Sequence, residues 1–280
     1  MGINFPLPLE LLARIESFLL PEHVFTYDYW LNLVQRGNVE GLQWFREHHL
    51  FQVPITLDKV IAISHSHTLA TIQWFHRIGV KCTTDAMDKA AATGQLDVVQ
   101  FLHTHRTEGC TTYAMDMAAS GGHLSTLQWL HQFRTEGCTT LAMDLAALNG
   151  HLHILVWLHE HRREGCTTDA MDNAAGQAHL HIVKWLHDMR TEGCTTDAMD
   201  EAIRNGHLHV ASWLHSHRNE GCTHEALDYA MDRMDFTLIE WLVDTQPQIR
   251  RYVHDGWNDI RAMLEHRAKN WLNDLMDGPS

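Results

Sequence analysis

Positive charge is in short supply in this chain: 21 lysines and arginines face 35 aspartates and glutamates, a formal net charge of −14. Phosphate contacts need a basic surplus, so the expected partner is a neutral or basic protein and not nucleic acid. Long apolar runs are missing as well. No stretch approaches the roughly 18 residues that cross a bilayer, so no membrane partner is expected. Met1 to Leu20 carries Glu10 and Glu16 without a basic start, which argues against a secretory signal. The chain also lacks a phosphate-binding glycine loop, a G-x-S-x-G elbow and any H-x-x-x-H pair on a helix. No catalytic, cofactor-binding or metal-binding residue is therefore assigned, and an enzyme is not expected.

What the chain has is repetition. Its six cysteines are Cys82, Cys110, Cys138, Cys166, Cys194 and Cys222, each 28 residues after the last, and Asp88, Asp116, Asp144, Asp172, Asp200 and Asp228 keep the same spacing. A fixed period of this size is the signature of a solenoid. Stacked units lie roughly 8 to 10 Å apart, beyond the roughly 7 Å that a disulfide spans between Cα atoms. The cysteines thus read as buried thiols in a reducing compartment, the cytoplasm or the nucleus.

The unit at residues 110 to 137 predicts two short helices. Thr111 or Thr112 caps the first, Ala114, Met115, Ala118 and Ala119 form its apolar stripe, and Gly122 ends it, as Gly94, Gly150 and Gly206 do in their copies. Leu124, Leu127, Trp129 and Leu130 line the second, which Arg134 and Gly137 close. Neither helix buries its stripe alone, so copies must stack. The predicted organisation is all-α: a helix within 1–24, eight repeats over 25–245, and a helical cap over 246–280.

The run A-M-D-x-A-A-x-x-G-H-L-x-x-L-x-W-L resembles the ankyrin repeat over residues 25 to 245. Ala118 and Ala119 fall on its double alanine, Gly122 and His123 on Gly-His, and Leu124, Leu127 and Leu130 on the apolar positions of its second helix. Asp116 replaces the family's histidine, and the linker is five residues shorter, so R-T-E-G leaves too little chain for the projecting β-hairpin. The resemblance implies a protein-binding scaffold. Separately, Leu7, Pro8, Glu10, Leu11, Leu12, Ile15 and Leu19 resemble the opening of an F-box, which implies docking to a ubiquitin-ligase adaptor, with Leu7, Pro8, Leu11, Leu12, Ile15 and Leu19 as the docking residues. The other reading of the same amphipathic stretch is a cap on the stack.

The 24 histidines invite a metal reading. Equivalent histidines of neighbouring units, roughly 8 to 10 Å apart, are too distant to share an ion bound at about 2.0 to 2.1 Å. A structural role is expected instead: the Gly-His histidine caps a turn, and His103, His131, His159, His187 and His215 pack part-buried where an ankyrin unit has leucine. The repeated aspartates read as a ladder of hydrogen bonds to backbone N–H groups or threonines, because six near-identical settings cannot supply the unequal environments of an acid and a base. The tryptophans read as core.

The copies also differ in an ordered way. On the first helix the varying positions are Asp85, Tyr113, Leu141, Asp169, Asp197 and Glu225, then Lys89, Met117, Leu145, Asn173, Glu201 and Tyr229, then Ala92, Ser120, Leu148, Gly176, Arg204 and Asp232. Their four- and three-residue spacing predicts one exposed face. Tyr113, Met117, Leu141, Leu145 and Leu148 make it apolar in two units, while Asp169, Asp197 and Glu201 make it acidic in the next two. These eight residues are the expected partner-binding set.

Overall fold

The computed structural model describes residues 28–47, 56–63 and 68–250. The segments carrying the F-box-like residues Leu7, Pro8, Leu11, Leu12, Ile15 and Leu19 and the part of the expected cap beyond residue 250 lie outside these. All regular structure among the described residues is helical, and no helix there is long and apolar enough to cross a membrane. The helices come in consecutive pairs, a first helix of seven to nine residues and a second of nine or ten, as in Thr112–Ser120 with Leu124–Phe133 and Asp197–Arg204 with Leu208–His217. The chain forms two compact units, Met1–Ala142 and Met143–Ser280.

Within the first unit, the first helices Leu57–Ile63, Asp85–Ala92 and Thr112–Ser120 pack in succession. Small side chains permit this close approach: Ala86, Ala90, Ala91, Ala114, Ala118 and Ala119 are all buried. Helices Asp169–Gly176, Asp197–Arg204 and Glu225–Asp232 repeat the arrangement in the second unit. Each second helix covers the row with apolar residues such as Leu127 and Leu130, or Ile182, Val183 and Leu186.

The turn between paired helices is a Schellman motif. His123 N–H donates to Ala118 C=O at 2.9 Å and Gly122 N–H to Ala119 C=O at 3.1 Å, with Gly122 at φ +73°. The same bonds recur where glycine is absent, at Ala178 (φ +62°) and Met234 (φ +52°). The side chain of His123 makes no capping bond. It lies instead over the preceding repeat, where a Cβ on Gly94 would meet its Nδ1 at 2.5 Å. The expected histidine cap is thus corrected, because the imidazole reaches the neighbouring turn before its own helix end.

The tryptophans are also not core. Trp74 is buried, but Trp129, Trp185, Trp213 and Trp241 are half-buried between second helices. Leucines already fill the interior, so each indole serves as a side wall. His103 meets Trp129 edge-on with ring centroids 5.1 Å apart, and His159 meets Trp185 likewise at 5.5 Å. Arg134 and Arg190 each donate to the Nδ1 of these histidines at 3.3 Å. His103, His131, His159 and His187 are half-buried as expected, whereas His215 is exposed.

Candidate functional site

The first helices carry the candidate surface, and a hydrogen-bond ladder fixes where each begins. Thr111 N–H and Oγ1–H donate to the two oxygens of Asp88 at 2.8 and 2.7 Å, and Thr139 treats Asp116 the same way at 2.8 and 2.9 Å. Asp144 with Thr167 and Asp172 with Thr195 repeat the pattern in the second unit. The same threonine Oγ1 then accepts from the first helical N–H groups, of Tyr113, Leu141, Asp169 and Asp197. One hydroxyl therefore ties the previous repeat to the start of its own helix. Burial pushes the carboxyls of Asp88, Asp144, Asp172 and Asp200 above the usual range although the threonine bonds oppose it.

Loops after the second helices are held by a second row. Arg106 pairs with Glu108 at 2.9 Å and donates through Nε to Cys82 Sγ at 3.2 Å. Arg134 pairs with Glu136 and crosses Gly109, where a Cβ would meet its Nη2 at 2.7 Å. Gly109, at φ +77°, is required both for its backbone and for this close approach. Burial raises the thiols of Cys110, Cys166 and Cys194 to about 11, with the nearby glutamates adding to the effect, and burial raises Cys222 to about 12. Such thiols stay protonated near neutrality and are poor nucleophiles. Both rows engage the groups that could otherwise do acid–base or covalent chemistry. Among the described residues, no three histidine, cysteine or acidic side chains converge as metal ligands.

The three varying positions are graded and not uniformly open. Asp85, Tyr113, Leu141, Asp169, Asp197 and Glu225 are all exposed, Tyr113 at 51% and Leu141 at 48%. Met117, Leu145 and Glu201 are half-buried, and so is Leu148 at the third position. Gly176 is buried, since a Cβ there would meet the Glu201 Cβ at 3.1 Å. Neighbouring first helices partly cover the middle position in every repeat, whereas the third ranges from buried Gly176 to exposed Arg204 and Asp232. Tyr113, Met117 and Leu141 belong to the first unit, and Asp169, Asp197 and Glu201 to the second. Leu145 and Leu148 follow Leu141 on a single face of helix Leu141–Leu148.

Two features escaped sequence reasoning. Met234 holds the left-handed turn position 28 residues after Gly206, which the repeat count could have found. The reach of each arginine to the preceding repeat has no signal within a single copy. A family model described as ankyrin repeats (many copies) matches residues 87–131, 115–159 and 171–215. No curated protein matches the chain.

Proposed function

This chain belongs to the ankyrin-repeat family, and from that premise we propose that it binds a partner protein through the exposed face of its first helices. Ankyrin repeats are in general protein–protein interaction modules. The observation that carries the finer reading is the exposure of Tyr113 and Leu141, at a position that holds Asp85, Asp169, Asp197 and Glu225 in other repeats. Large apolar groups left about half exposed at an open position gain only part of their possible burial within the chain, and such groups anchor partners. Met117, Leu145 and Leu148, half-buried beside them on their own helices, supply a floor. Asp169, Asp197 and Glu201 favour a partner with basic residues and speed its approach at low salt.

Affinity capture of partner protein from cell extract tests this reading. Tyr113→Ala and Leu141→Ala should each weaken capture by more than about 1 kcal/mol, while Asp197→Ala costs less. Capture unchanged by both apolar replacements would refute it. The F-box-like residues supply a second reading, a substrate receptor that docks to a ubiquitin-ligase adaptor. Deleting residues 1–24 then removes ligase subunits from the captured set; their persistence would rule docking out.

A further inference from the structure

We propose that a groove between the second helices of the first two repeats is a binding site for a phosphorylated side chain of a protein. Gln43, Arg46 and Glu47 form one wall, and Trp74, Arg77 and Ile78 the other, around about 350 Å³. That volume is at the low end of sites that hold small ligands. In later repeats the residue two places after the tryptophan position is a histidine that packs edge-on against the next tryptophan, as His103 does on Trp129 and His159 on Trp185. Counted the same way from Trp44, that place belongs to Arg46. Arg46 thus lines the groove at the place where later repeats carry a histidine.

Charge selects the ligand. Arg106, Arg134 and Arg190 are tied to glutamates, whereas Arg46 and Arg77 have no ion-pair partner among the described residues. Among the described residues the one carboxylate in the wall is Glu47, to which Gln43 Nε2 donates at 3.0 Å. Two free guanidiniums match the oxygens of a phosphate monoester, which accepts paired N–H donors. Ile78 and the nearly buried Trp74, 5% exposed, give the group an apolar rim to rest on. The chain's net charge of −14 disfavours an extended polyanion such as nucleic acid or an anionic membrane. A single phosphorylated side chain presents a compact charge that two arginines can meet.

The test uses the full chain and phenyl phosphate as probe, with benzoate as the carboxylate comparison, read by the Nε–Hε resonances of the arginines. Phenyl phosphate should shift Arg46 and Arg77 saturably and leave Arg163, an exposed arginine elsewhere, in place. Arg46→Gln or Arg77→Gln should weaken binding roughly tenfold, as loss of a charge-assisted bond does. Glu47→Gln should tighten it by removing the repelling carboxylate. These arginines are exposed, so unchanged melting of the variants separates lost binding from lost fold. Binding that survives both arginine replacements overturns the site, and an equal response to benzoate overturns the assignment to phosphate. Because the groove lies on second helices, neither result depends on Tyr113 or Leu141.

Discussion

At Ala178 and Met234 a side chain occupies a backbone conformation that glycine adopts at little cost. Both have φ above +50° in a Schellman turn that glycine fills at Gly94, Gly122, Gly150 and Gly206. Ala178→Gly should therefore raise stability by up to about 1 kcal/mol, seen as a higher denaturant midpoint at equal slope. An unchanged midpoint would mean that the unfolded chain's added freedom cancels the relief. The thiols make a second residue-scale prediction. Cys82 is half-buried, while Cys110, Cys138, Cys166, Cys194 and Cys222 are buried, so a thiol reagent at neutral pH should modify Cys82 first in native protein. Equal rates at all six would show that the repeats open freely.

Among elements, the ladder does more than cap helices. Asp172 holds Thr195 through both backbone and hydroxyl, so Asp172→Ala leaves a part-buried N–H without its acceptor. The expected cost is about 1 to 3 kcal/mol by denaturation, with Asp172→Asn costing less because its one remaining oxygen still accepts. The ladder was legible in the sequence because aspartate and threonine recur with the cysteine period. The helix pairs were legible for the same reason, from alanine stripes, turn glycines and leucine spacing. The tryptophans and the Gly-His histidines were misjudged, since their surroundings come from the adjacent repeat and the pattern of one copy does not contain them. The varying face was half legible: helical spacing found its residues, but the alanine-lined approach of neighbouring helices decides how far each protrudes.

For the whole molecule, charge and histidine content couple stability to pH. Burial, with His209 and Arg233 nearby, lowers the His207 pKa below 6.5. The unfolded chain therefore takes up that proton first, so stability present above 6.5 is lost as pH falls through the folded value. The ladder aspartates act in the opposite sense: their raised pKa values add stability as pH falls through them, in a window above 3.8. Melting temperature should thus drop between about pH 7.5 and 5.5, the window around histidine's ordinary value; a flat profile would contradict it.

The central claim, that this ankyrin array is a scaffold reading a partner with its first helices, is tested most directly at Tyr113 and Leu141, the most exposed large apolar residues of that face among those described. The measurement is quantitative capture of partner protein from extract by the wild-type chain and by the Tyr113→Ser, Leu141→Ser double variant, with melting temperatures taken in parallel. The account predicts that the variant melts as the wild type does and loses capture by at least roughly tenfold, the loss expected when a paired hot spot is removed. Capture at the wild-type level by an equally stable variant would contradict it.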